Sequence, residues 1–274
     1  MIAGGSWHYL ALGDRQAPAL LFLHGFMGLA TDWLEVAAAL RKDYCCVLPD
    51  LPGHGKTTGY GDTEISFDTV ADELAEFVDY LDLKQVALVG YSMGGRVALH
   101  TALTHPQRFA ALVLESASPG LEHETERSAR IALDEQRAVQ LEQLGLHSFV
   151  DKWFDAPLFD SLKCHPEKLA ALKESRLGHQ ADGIARILRS MSLGRQASLW
   201  DELGRLEMPV LLISGALDRK FTEIGERMEG QLRNCRRRVV DGAGHNTHLE
   251  QPEIFIEYLR EFLPTLRAVK GEDR

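Results

Sequence analysis

Apolar positions along this 274-residue chain fall into two patterns that take turns. One is the short unbroken run: ALLFLHG at 19–25, the CCVLP that opens 45–55, VALVG at 86–90, FAALVLES at 109–116 and PVLLISG at 209–215. Runs without polar alternation predict strands covered on both faces. RRVVDG at 237–242 continues the series. The other pattern repeats apolar residues three and four apart, as in TDWLEVAAALRK at 31–42 and SFDTVADELAEFVDYLD at 66–82, with further helical stretches at 222–232 and 251–263. Thr31 and Asp32 suit a helix start, and Ser66 is placed to cap the second helix. Strands alternating with helices predict an α/β chain, with a mostly parallel central sheet and helices on both faces. Right-handed crossovers put the strand C-termini on one edge, where such sheets bind ligands. The loops at 24–28, 50–55, 90–95 and 215–218 are therefore predicted to converge.

The alternation stops between 119 and 207, where no strand pattern is evident. Amphipathic stretches such as ERSARIALDEQRAVQLEQL and PEKLAALKESRL take its place. This region is expected to be a helical cap, 119–207, inserted in a core made of 1–118 and 208–274. No internal repeat or low-complexity segment interrupts the reading.

Composition narrows the function classes. With 45% hydrophobic and 26% charged residues the chain reads as an ordinary globular protein. A net charge of −10 opposes nucleic acid, and the one short basic run, RNCRRR at 233–238, reads as a solvated strand entry. No apolar stretch approaches the roughly 18 to 20 residues a membrane span needs, and the N-terminus has no basic start leading into an apolar core. Cys45, Cys46, Cys164 and Cys235 show no C-x-x-C spacing, which fits reduced thiols in a cytoplasmic protein. The adjacent Cys164 and His165 lack partners for a metal site, and neither metal nor organic cofactor is expected. Monomer and small homo-oligomer are both compatible with these features.

Chemistry concentrates at GYSMG, residues 90–94. G-x-S-x-G between a strand and a helix predicts a strained turn that lifts the Ser92 hydroxyl over the sheet edge. A serine hydroxyl needs a histidine to take its proton and a carboxylate to orient that histidine. In the chain order serine, acid, histidine, Asp218 in LISGALDRKF and His245 in VVDGAGHNTHLEQP both follow strands. Asp201 precedes its strand and Asp241 only begins its loop; His248 suits a helix start, and His24 and His54 suit backbone-holding roles. HGFMG at 24–28 leaves a backbone N–H free to point inward, so the N–H groups of Phe26 and Met93 are candidates for an oxyanion hole.

Three features favour an anionic ligand. Arg96 lies one turn into the helix after Ser92, where a cation opposes the helix dipole. Arg127 and Arg130 are spaced to share one face of a cap helix, and Arg176 follows a second cap pattern. Guanidinium forks at those positions would suit a substrate with several carboxylates.

HGFMG, DLPGHG, GYSMGG, the LD at 217–218 and the GH at 244–245 resemble the α/β-hydrolase superfamily across nearly the whole chain. GYSMGGRVAL, LESASPGL followed by ERSAR, GRQASLW, DRKF and GHNTHLEQP are more specific. From residue 20 into the final helix they resemble the 2-succinyl-6-hydroxy-2,4-cyclohexadiene-1-carboxylate synthases of menaquinone biosynthesis. The resemblance implies a lyase that eliminates pyruvate from 2-succinyl-5-enolpyruvyl-6-hydroxy-3-cyclohexene-1-carboxylate, without a cofactor. It also implies carboxylate contacts from Arg96, Arg130 and Arg176, and a substrate lining that includes Tyr91 and Trp153. In that family the serine acts as a base, relaying a ring proton to histidine. Two alternatives use the same residues: a serine hydrolase of esters or carbon–carbon bonds, and a hydrolase-like binding protein without activity.

Overall fold

The computed structural model describes residues 5–263 apart from 62 and 85, so the outermost parts of the two expected core segments, 1–4 and 264–274, lie outside it. In chain order the elements are β1 (Tyr9–Leu12), β2 (Ala19–Leu23), α1 (Leu34–Leu40), β3 (Cys45–Pro49), α2 (Phe67–Tyr80), β4 (Val86–Tyr91), α3 (Met93–Thr104) and β5 (Phe109–Glu115). Three long helices follow, α4 (Glu124–Phe154), α5 (Pro166–Arg176) and α6 (Ala181–Ser190). The chain then returns through β6 (Val210–Gly215), α7 (Arg219–Glu229), β7 (Cys235–Val240), α8 (Thr247–Glu250) and α9 (Pro252–Phe262).

Among the described residues the strands form a single sheet in the order β1-β3-β2-β4-β5-β6-β7. Every neighbouring pair is parallel except β1 with β3. Strands β2, β3, β4 and β6 are buried at every position, the state their unbroken apolar runs require. Alternate residues serve opposite layers: Leu21 and Leu23 pack with α2 and α3, while Leu20 and Phe22 pack with α1 and α9. Ser66 caps α2 as expected, its Oγ accepting from the Thr69 N–H at 3.2 Å.

Two elements escaped the periodicity. β1 is four half-exposed residues at the sheet edge, antiparallel to β3, and too short to register as a run. α6 buries only Ile184, Ala185, Ile187 and Leu188 on its inner face. α4 extends ten residues past the end of the ERSAR pattern, to Phe154, and is broken by Gly145 at φ 77°, ψ 166°.

Chain order places the site. From β2 the sheet grows outward to β3 and then, through β4, in the other direction, so the loops after β2 and β4 leave side by side, with Leu23 paired to Gly90. A strand-order reversal of this kind opens a crevice at the C-terminal edge. Helices α4, α5 and α6 lie over it, and their apolar core takes in Met27 from the loop after β2.

Candidate active site

Ser92 separates the last residue of β4 from the first of α3 and adopts φ 51°, ψ −108°. A non-glycine residue held there costs on the order of 1–3 kcal/mol, and the flanking glycines explain how it is held. A Cβ at Gly94 would lie 2.2 Å from the Leu23 carbonyl oxygen, and one at Gly90 2.5 Å from that of Gly94. Only glycine lets strand and helix approach this closely.

His245, in the loop after β7, brings Nε2 to 3.0 Å from Ser92 Oγ. Its Nδ1 lies 2.6 Å from Asp218 Oδ2, and Asp218 caps α7. An ionised carboxylate only accepts, so Nδ1–H donates to Asp218 and the Nε2 lone pair is left to accept the serine proton. Both side chains are nearly dry, 2% and 9% exposed, which strengthens the pair. The competing residues lie elsewhere. Asp201 and Asp241 are exposed, and His248 Nδ1 donates instead to Glu115 at 2.6 Å.

Met27 N–H donates to His54 Nε2 at 3.0 Å, and Gly28 N–H to the Gly25 carbonyl at 2.9 Å. The Phe26 and Met93 N–H groups have no acceptor among the described residues. Met93 opens α3 directly after Ser92, Phe26 lies in the loop after β2, and both line the cleft that Ser92 opens on. Beneath them, His24 accepts from Leu51 N–H and donates to the Gly25 carbonyl, while His54 donates to the Pro52 carbonyl. Burial holds both imidazoles below their ordinary pKa, so each keeps one donor and one acceptor nitrogen. His179, between α5 and α6, donates to the Met27 carbonyl at 2.8 Å, and burial depresses it to about 4.

Ser92 and His245 open on a cleft of about 160 Å³, which Phe26, Trp153, Arg96, Arg130 and Lys220 also line. Arg96 makes only long contacts, 3.4 Å, to the Met191 carbonyl and Gln196 Oε1, and lies over Phe67 at 5.3 Å. It has no carboxylate partner among the described residues. Burial and the nearby Arg130 charge pull its guanidinium down to about 9. Arg130 donates Nε to Asp134 at 2.7 Å, but that carboxylate, 1% exposed, also serves Arg137 at 2.9 Å. One negative charge thus faces two positive ones.

Tyr91, Trp153 and Arg176 line an adjoining recess with Ser92 and His245. Burial and the carboxylates of Glu115, Glu250 and Asp218 push the Tyr91 phenol far up, so it remains a neutral donor. The Arg176 fork is not free: its two terminal nitrogens donate to the Asp32 carboxylate at 2.9 and 2.7 Å. Although burial works against it, the Arg176 guanidinium holds the Asp32 carboxyl below its usual range. Arg127, expected on the same face as Arg130, donates instead to the Gly194 carbonyl and does not line the cleft. Sequence reasoning missed Asp32, Lys220, Asp134, Glu115 and Glu250 in these networks. Of these, only Asp134, four residues after Arg130, and Lys220, two after Asp218, carried a spacing signal.

Fold and site together have the form of an α/β hydrolase, and a family model described as the alpha/beta hydrolase fold matches residues 18–252. The chain is 38% identical, over 93% of both sequences, to a Bacillus subtilis protein with a provisional name as a 2-succinyl-6-hydroxy-2,4-cyclohexadiene-1-carboxylate synthase. It is 31% identical to the Serratia proteamaculans protein of that name, over 93% of this chain and 96% of the other. The solved structure of MenH from S. aureus matches with a TM-score of 0.91 at 30% identity, over 95% of this chain and 98% of that one. The chain belongs to the 2-succinyl-6-hydroxy-2,4-cyclohexadiene-1-carboxylate synthase family of the α/β-hydrolase fold.

Proposed function

We propose that this chain is a cytoplasmic lyase of menaquinone biosynthesis that eliminates pyruvate from 2-succinyl-5-enolpyruvyl-6-hydroxy-3-cyclohexene-1-carboxylate. In this reading residues 119–207 serve as the cap over a core whose described residues fall within 5–118 and 208–263. The observation that carries the reading is Arg96, a half-buried guanidinium lining the Ser92 cleft with no ion-paired carboxylate among the described residues. A partly desolvated cation without an ion pair costs stability, and an anionic substrate supplies the missing partner. Arg130, which shares Asp134 with Arg137, and Lys220 add positive charge to the lining of the same cleft, and an apolar ester would leave Arg96 and Lys220 without a carboxylate.

The ring proton goes to Ser92 Oγ as the serine proton moves to His245 Nε2, and Asp218 stabilises the resulting imidazolium through Nδ1–H. The electron pair left on the ring shifts through the double bond and expels enolpyruvate from the ring carbon. His245 returns a proton to the leaving group, which becomes pyruvate. The Phe26 and Met93 N–H groups stabilise negative charge growing on a substrate carboxylate, and no bond to Ser92 forms. Arg96 and Arg130 hold carboxylates, and Tyr91 and Trp153 line the ring. Arg176, already clasped by Asp32, holds the recess in shape and offers its remaining N–H groups to the substrate.

Incubation with the enolpyruvyl substrate, with pyruvate followed by lactate dehydrogenase, tests the reading. Release of one pyruvate per substrate is expected. Turnover of simple esters alone would replace the lyase with a serine hydrolase.

A further inference from the structure

The segment that carries His245 has little regular structure to hold it. Residues 243–248 are all buried, yet 243–246 lie in the loop between β7 and α8, and 247 and 248 belong to α8, a single turn. A buried loop must find partners for its backbone N–H groups. Two buried carboxylates supply them. Glu250, 3% exposed, accepts from Gly244 N–H through Oε2 at 2.9 Å and from Asn246 N–H through Oε1 at 3.2 Å, one on each side of His245. Glu115, 0% exposed, accepts from Thr247 Oγ1 at 2.6 Å and His248 N–H at 2.9 Å, both through Oε1. Its Oε2 takes His248 Nδ1–H at 2.6 Å. Glu115 also ends β5, and its carbonyl accepts the Ser92 N–H at 2.9 Å. One residue therefore grips the serine turn with its backbone and the histidine loop with its side chain.

We propose that Glu115 and Glu250 are positioning residues that keep the His245 imidazole in register with Ser92 Oγ. Hydrogen bonds to an ionised carboxylate are shorter and roughly twice as strong as neutral ones. Because each carboxylate joins donors on different residues, none of those donors can shift alone. The glutamates touch neither substrate nor the reacting atoms; they act through His245. The inference rests on the Ser92–His245 proton relay proposed above, and on nothing about the substrate.

The test is Glu250→Gln, which turns one accepting oxygen into an NH₂ group facing an N–H donor. Thr247→Val is the milder companion, keeping the shape but deleting one bond to Glu115. Two readouts are taken. One is kcat and KM for pyruvate release. The other is the rate at which a fluorophosphonate labels Ser92, where Oγ–P forms, P–F breaks, the serine proton passes to His245 and fluoride leaves. A misplacement of about 1 Å costs up to ~100-fold. For Glu250→Gln, kcat and labelling rate are expected to fall together by about 10- to 100-fold, with KM within about twofold. Thr247→Val should lose about threefold in both. A folded Glu250→Gln that labels at the wild-type rate overturns the proposal. If that variant does not fold, wild-type labelling of Thr247→Val overturns it instead. Wild-type protein that labels readily but releases no pyruvate would remove the substrate assignment and leave the clamp standing.

Discussion

Replacing Arg96 with methionine should move stability and turnover in opposite directions. The guanidinium is half-buried, its two polar contacts are long at 3.4 Å, and no carboxylate among the described residues is ion-paired with it, the nearby Asp134 being bound to Arg130 and Arg137. Replacing buried ionic groups with hydrophobic ones often stabilises a fold by about 1–4 kcal/mol. Against this stands the cation–π contact with Phe67 at 5.3 Å, a loss of about 0.5–1 kcal/mol. The difference runs from about zero to about 3.5 kcal/mol, and each 1 kcal/mol gained raises Tm by about 2–4 °C for a chain of this size. Turnover should go the other way. Removing one partner of a desolvated charge pair costs about 3–5 kcal/mol, which is between a hundredfold and a few thousandfold in kcat/KM. The pH dependence supplies a second check. Only the charged guanidinium holds a carboxylate, and in the free protein it is pulled down to about 9. The wild-type kcat/KM should therefore fall as pH rises through about 9, and the methionine variant should lack that limb. Thermal melts and pyruvate-release kinetics at several pH values measure all three effects. An Arg96→Met protein that melts lower, and loses no more on the polyanion than on a neutral ester, would make Arg96 a structural strut.

Other consequences are simpler to state. Ser92→Ala should lower kcat by about 10³- to 10⁶-fold while isothermal titration still shows substrate binding; turnover near the wild-type rate would remove Ser92 from the chemistry. Ser116 is buried at φ 46°, and its hydroxyl has no hydrogen-bond partner among the described residues; Ser116→Gly should raise denaturation stability by about 1 kcal/mol with little change in kcat. The His179 contact with the Met27 carbonyl is acid-sensitive: His179 falls from 6.5 to about 4 on folding. Between those values the unfolded chain binds the extra proton, so stability is full above the upper one and is lost as pH falls towards the lower. The loss is about 3 kcal/mol, with His24 and His54 adding to it in the same direction. Urea titrations from pH 7 to 4 should show this, and His179→Gln should flatten the slope.

The parts of the molecule legible in the sequence are those where backbone and burial impose a local pattern. β2, β4 and β6 had to be apolar on both faces because helices cover them twice. The glycines around Ser92 had to be there because any Cβ would strike neighbouring backbone. The positions of Ser92, Asp218 and His245 after their strands follow from the same alternation. β1 and α6 left too faint a trace, one being a short half-exposed edge and the other a single amphipathic stripe.

What pairs with what was decided only by the tertiary structure. Arg176 and Asp32 are 144 residues apart, and His248 and Glu115 133, separations over which periodicity carries no information. Whether an arginine faces a ligand or a neighbouring carboxylate depends on which loops the strand order brings together. Thus, among the described residues, Arg96 has no ion-paired carboxylate, Arg130 shares one with Arg137, and Arg176 holds one to itself, although all three look alike as residues in a sequence. Local chemistry set the elements and their reactive ends; the balance of buried charge among them is a property of the assembled fold, because Coulomb energy depends on distance in space and on local dielectric, not on position along the chain.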